Sequence, residues 1–187
     1  FYPEVEASKE VETIMDYYKS QMQKYWLKRS LYAKGLMTLT LHRMNDDATA
    51  GKILKSLKEN SITSDELGMY WKANTSSWYW HQAPIETQSL LVEAFSEVGV
   101  GSYDVTLSAV EAQKETTTIV DNLKIWLLKN KQTNKWETTK ATTEAVYALL
   151  LKGSSWLDVT EMVDVKVGNE TINPSTLDDV KVEAGTG

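Results

Sequence analysis

The chain of 187 residues contains no cysteine. That absence excludes a disulfide framework, a cysteine-ligated zinc site and a cysteine nucleophile within it. Histidine is nearly missing too. His42 and His81 are the two present, and neither has a second histidine or a carboxylate at metal-ligand spacing. Positive charge is in deficit, with 20 Lys and Arg against 26 Asp and Glu and a net charge of −6. A chain of that balance offers no electrostatic footprint for a nucleic-acid backbone. Its apolar runs fall far short of the roughly 20 residues that a membrane span needs. No secretory signal pattern opens it, because Phe1-Tyr2-Pro3 leads straight into a polar helical pattern. The abrupt start and stop give the sequence the look of a piece of a longer protein.

What the chain does have is an aromatic load of seven tryptophans and nine tyrosines on an ordinary globular composition, 42% hydrophobic and 25% charged. Apolar spacings of three and four predict a helix over 7–28 through Val11, Ile14, Met15, Tyr18, Met22 and Trp26. Ser30 is placed to cap a second helix over 31–43, and Asn45-Asp46-Asp47 to cap a third over 48–59. The polar stretch 60–77 reads as a long loop, although Trp71 argues against a merely solvated one. Pro84 suits the first turn of a helix that stops at Gly99. Residues 103–115 are expected to be helical, with Thr118 or Asp121 opening the next helix. A last helix is expected over 139–151, ended by Gly153. Beyond Trp156 the period changes to two, predicting a strand at 162–167, a turn at Gly168-Asn169 and a second strand at 180–182. The division expected is 1–158 helical and 159–187 β, the latter belonging to a β domain.

Self-similarity organises the helical part. Trp80 is followed by Thr87, Leu90-Leu91 and Ala94; Trp136 is followed at the same spacings by Thr143, Val146-Tyr147 and Leu150, an offset of 56. A weaker copy begins at Trp26, with Ala33, Leu36-Met37 and Thr40, at an offset of 54. The small residue of each set, Ala33, Thr87 or Thr143, is expected where a helix approaches its neighbour. A period near 55 holds two helices, and such hairpins stack because neither buries both faces alone. The fold class expected is therefore mainly α: part of an α/α toroid, with the Trp-led helices inside and the others outside, plus a short C-terminal β segment.

Candidates for chemistry are few. Glu86, Glu137 and Glu144 sit near the tryptophan turns, where paired carboxylates would serve glycoside hydrolysis; all three are also at helix N-termini, which favour acids regardless. Trp78-Tyr79-Trp80 offers rings for stacking on sugar, but its recurrence as Trp136 favours packing between repeats. Asn45-Asp46-Asp47 resembles the start of an aspartate-rich magnesium motif, yet Ala50 stands where the third carboxylate belongs. Trp126-Leu127-Leu128, Gln132 and Trp136 have a loose likeness to the glutamine–tryptophan motif of terpene cyclases, without its glycine and with shorter spacing. No catalytic, cofactor-binding or metal-ligating residue is assigned, and no cofactor is expected.

With these residues in view, the chain resembles part of a bacterial α2-macroglobulin-like protein. The likeness rests on Gly68-Met69-Tyr70-Trp71, on Trp78-Tyr79-Trp80-His81-Gln82-Ala83-Pro84-Ile85-Glu86-Thr87-Gln88 and on Trp126-Leu127-Leu128-Lys129-Asn130-Lys131. It continues through Trp136-Glu137-Thr138-Thr139-Lys140-Ala141-Thr142-Thr143 and Ala148-Leu149-Leu150. The stretch is similar to the later part of that family's thioester-type α/α toroid domain, and the tail from Met162 resembles the strands leading into or belonging to the adjoining β-sandwich domain. The resemblance implies a large exported protein, periplasmic, outer-membrane-anchored or extracellular, whose partners are the proteases it traps and the other domains of its own chain. Nucleic acid and membrane contact from this segment are not expected. In the family a Cys–Gln thioester captures the attacker; with no cysteine here, that bond maps onto no residue of this chain. His81 stands where a histidine assisting acyl transfer would be sought, but its surroundings do not match. The expected role is non-enzymatic. A toroid enzyme acting on carbohydrate and a scaffolding repeat that binds proteins are the alternatives.

Overall fold

A computed structural model describes residues 7–76, 83–131 and 135–151, together with the backbone of 165–167 and 170–172. Trp78, Tyr79, Trp80, His81, Gly153, Trp156 and the strand expected at 180–182 lie outside them. The chain divides into two compact units, Phe1–Lys152 and Gly153–Gly187.

The first unit is mainly helical. Helix α1 (Lys9–Tyr25) starts at Ser8, whose hydroxyl accepts from the Val11 amide, and runs into a 3₁₀ turn at Trp26–Lys28. Ser30 caps α2 (Leu31–Arg43) in the same way, accepting from the Ala33 amide. Asn45, at φ 57°, takes the left-handed conformation that asparagine tolerates, and turns the chain. Asp46 then caps α3 (Asp47–Glu59) through the Thr49 amide. These helices match the sequence expectations to within two residues at their ends, except that the last three residues expected in the first form the 3₁₀ turn.

The stretch expected as a loop contains a hairpin instead. Strand β1 (Ile62–Ser64) pairs antiparallel with β2 (Gly68–Tyr70), Ile62 opposite Tyr70 and Ser64 opposite Gly68. Three-residue strands cannot stand alone in water. They persist because Met69 and Trp71 are buried and β2 packs on α5 (Ala109–Lys129). Helix α4 (Pro84–Val98) begins on Pro84 and ends at Gly99, as expected.

Helix α5 corrects a second expectation. Residues 103–107 are outside any helix, and one unbroken helix covers the region in which a break was expected. Its start is a capping box: the Ser108 hydroxyl accepts from the Glu111 amide while Glu111 reaches back to the Ser108 amide. Three successive threonines obscure this in the sequence. In the structure Thr116, Thr117 and Thr118 each return their hydroxyl to the carbonyl four residues back, so they are accommodated inside the helix. Helix α6 (Thr139–Leu150) is capped by Thr138.

Helices α2, α4 and α6 pack as a row with α4 in the middle; α3 lies on α2, α5 lies on α4, and the 3₁₀ turn Val100–Ser102 joins α3 to α5. The core between the layers holds Leu39, Leu41, Ile53, Leu54, Leu91, Phe95, Val120, Leu123 and Leu127. The repeat is real as packing, but its close-approach position is shifted. Ala33 is half-buried and Thr143 exposed, so only Thr87 is buried as expected. Two residues on, Gly35, Ser89 and Ala145 are all buried, at the same offsets of 54 and 56. A Cβ on Gly35 would stand 3.1 Å from Leu90 Cδ2. That is the point where α2 and α4 come closest enough to require a small residue.

In the second unit β3 (Val165–Val167) pairs antiparallel with β4 (Glu170–Ile172). The last three residues of the strand expected at 162–167 are thus in a strand, and β4 is a partner that was not expected; the second strand expected at 180–182 lies outside the described residues.

Candidate functional site

The tryptophans show what the aromatic turns do. The Trp71 indole N–H donates to the Leu57 carbonyl at 2.8 Å, and the Trp136 indole N–H to the Leu127 carbonyl at 2.9 Å. Each acceptor lies two residues before the end of its helix, α3 or α5. These are the last-turn carbonyls that have no partner inside a helix. Both indoles are almost wholly buried, and Trp71 stacks on Phe95 at a centroid distance of 6.4 Å. The structural counterpart of Trp136 among the described residues is therefore Trp71, at an offset that no repeat comparison would select.

Two further buried polar groups tie the layers together, and neither was given a role from sequence. Gln88 on α4 donates its amide to the Met69 carbonyl at 2.8 Å and to the Leu123 carbonyl at 3.3 Å, joining α4 to β2 and α5. Lys124 on α5, 1% exposed, donates to the carbonyls of Leu149 at 3.2 Å and Leu151 at 2.7 Å, at the end of α6. Desolvation pushes the pKa of its ammonium down, and Asp121 opposes that in part. Its place inside the apolar stripe Leu123, Trp126, Leu127 was the available signal.

One concavity lies where the ends of α2 and α4 meet the starts of α3 and α5. It has a volume of about 370 Å³ and is lined by His42, Asp47, Glu97, Ser102, Gln113 and Thr116, among others. His42 Nδ1 lies 2.6 Å from Asp47 Oδ1, a contact across the α2–α3 turn. Glu97 faces Arg43 instead: Arg43 Nε and Nη2 contact its two oxygens at 2.8 and 2.7 Å, and Nη2 also reaches Glu93 at 2.8 Å. The hydrogen bond from Arg43 lowers the Glu97 pKa against a smaller desolvation effect. The hydroxyls in the wall are committed to structure. Ser102 donates to the Gly99 carbonyl at 2.7 Å, while Thr116 accepts from the Val100 amide at 2.9 Å and donates to the Ala112 carbonyl at 2.8 Å. The arrangement is a junction of helix ends in which a histidine and an aspartate meet and no hydroxyl of Ser102 or Thr116 is left for attack.

The carboxylates considered for sugar chemistry do not line one concavity together. Glu137 is exposed and lines two concavities, one of about 370 Å³ with Asn74, Pro84, Trp126 and Asn130, the other of about 530 Å³ with Trp136, Thr139 and Thr143. Glu86 and Glu144, both half-buried, line neither. His81 and the Trp78-Tyr79-Trp80 cluster lie outside the described residues. Asp46, the middle of the Asn45-Asp46-Asp47 run, serves as the α3 cap. Burial opposes its ionisation, but hydrogen bonds from Gln23 and Thr49 prevail and hold its pKa below the ordinary value. Among the described residues no three of His, Asp and Glu are grouped to hold a metal ion, and no helix is long and apolar enough to cross a membrane. No family model, curated protein or solved structure matches the chain.

Proposed function

We propose that this chain is a non-enzymatic module of a bacterial α2-macroglobulin-like protein that traps proteases in defence or colonisation. In this reading the row α2, α4, α6 is an arc of the inner ring of an α/α toroid, and α3 and α5 belong to its outer ring. The observation that carries it is the register of that row: Gly35, Ser89 and Ala145 are buried at offsets that match the sequence repeat, as stacked hairpins require. The polar groups support it by their employment. Gln88, Lys124, Trp71 and Trp136 hold helices to one another, which suits a rigid body that acts through contacts with neighbouring domains. The parent protein would be exported, and its partners would be proteases and its own other domains.

The test uses the full-length parent protein. Incubated with an endoproteinase, it should be cut within a bait region and should abolish hydrolysis of a large protein substrate while a small peptide substrate is still cleaved. Unimpaired hydrolysis of the large substrate would sink the proposal. Release of reducing sugar from a glycan, lost in Glu137→Gln, would instead favour the carbohydrate-enzyme alternative.

A further inference from the structure

We propose that the outward face of α1 is a self-association surface on which the α1 of a second copy of this chain lies antiparallel. The inference does not rest on the function proposed above.

Helix α1 has 17 residues and none of them is buried. One side is docked. Lys19 Nζ donates to the Met44 carbonyl, Gln23 Nε2 donates to Asp46, and Met22 packs against the core with Trp26 of the following turn. A second side carries Val11, Ile14, Tyr18 and Tyr25, exposed by 45%, 54%, 60% and 37%, beside the half-buried Gln21. With Gln21 these residues follow a strict three–four spacing, the seam that a helix presents to another helix. At 3.6 residues per turn the seam lies about 110° round the helix from the docked side, so the two do not coincide. Helical stability in proteins comes chiefly from packing an apolar face, and here the larger apolar face has no neighbour among the described residues.

The flanking charges choose the partner and its direction. In the heptad set by Val11, Ile14 and Tyr18, the positions beside the seam on the side away from the core are Glu10, Tyr17 and Lys24. Antiparallel pairing of two such helices brings Glu10 of each copy to Lys24 of the other, with the two Tyr17 rings at the centre. A parallel pair would set Glu10 against Met15, and no complementary charges would meet. The complementarity is therefore to the same sequence reversed, which identifies the occupant as a second copy.

Sedimentation equilibrium of the full chain should show a monomer–dimer equilibrium, with dimer evident at about 200 µM protein. Ile14→Glu with Tyr18→Glu should abolish the dimer while the protomer keeps its thermal midpoint, since both side chains are exposed within it. The charge test is sharper. Glu10→Lys alone and Lys24→Glu alone should each weaken the dimer roughly fivefold or more, two symmetric ion pairs being lost, and the two together should restore it. A chain that stays monomeric at that concentration overturns the proposal. So does a dimer indifferent to the double substitution, or a seam that proves to bind lipid vesicles or another protein in place of a second copy.

Discussion

Gly68 opens β2 at φ 71°, and a Cβ there would lie 2.1 Å from the Asn122 carbonyl oxygen on α5. Two costs therefore meet at one residue, a left-handed backbone and a backbone atom in the way. Gly99 has the first cost without the second: its φ is 72° and ψ 164°, but the nearest atom to its Cβ is 3.4 Å away. Gly99→Ala should lose about 1–3 kcal/mol, the range for a conformation reserved to glycine. Gly68→Ala should lose more than Gly99→Ala, read as a larger fall in the urea midpoint. Lys124 makes a different prediction. Its burial holds the ammonium pKa below the ordinary value of 10.5, so between the folded and unfolded pKa values the unfolded chain binds more protons. Stability conferred through this group must then rise as pH increases toward 10.5. Lys124→Met should lack that rise. The difference in urea midpoint between the native chain and the variant, followed from pH 8 upward, isolates it from Tyr103, whose phenol is pushed the other way by burial.

At the level of the helix, the pairing of α2 with α4 depends on Arg43 reaching Glu93 and Glu97. Glu97 has its pKa lowered by Arg43, so the stability it contributes is present above the ordinary carboxylate value of 4.5 and is lost as pH falls through the folded value. Glu97→Gln should flatten the acid limb of the stability profile below about pH 4.5, an effect of roughly 0.5–1 kcal/mol for so exposed a pair. The helices themselves were legible because their starts are chemical. Ser30, Asp46 and Pro84 each stand at or beside a helix start, and helix ends at Arg43, Glu59 and Val98 follow from them and from Gly99. The β1–β2 hairpin was not legible, since it is held by packing of β2 on α5, some 50 residues away in sequence, and by burial of Trp71 against Leu57 and Phe95, which local composition does not report. The break expected within α5 failed for a related reason. Threonine is a poor helix former in isolation, and only the neighbouring turns show that its hydroxyl has an acceptor. Of the polar junction around His42, the helix cap at Asp46 was foreseen; the meeting of His42 with Asp47 and of Arg43 with Glu97 needed the third dimension.

Taken as a body, the helical unit has one core, and α4 touches α2, α3, α5 and α6. Trp71 closes the end of α3 and Trp136 the end of α5, on opposite sides of that helix in the sequence but against the same cluster. The two indole N–H resonances should therefore vanish at a common urea concentration, followed by two-dimensional NMR. Separate midpoints would mean that the hairpins unfold independently. The repeat offsets of 54 and 56 also show which parts of this body are free to change length: the row keeps its contacts while the connectors absorb the difference. The exposed turn between Ser64 and Gly68 is the clearest of these, since the strands on either side are fixed by their pairing and by Met69 and Trp71 beneath. Closing a loop costs only about 0.6 kcal/mol more for each doubling of its length. A foreign peptide of a dozen residues spliced between Asp65 and Glu66, with Gly68 kept, would thus be displayed on a rigid helical support, making this hairpin a natural grafting point for an epitope or an affinity tag.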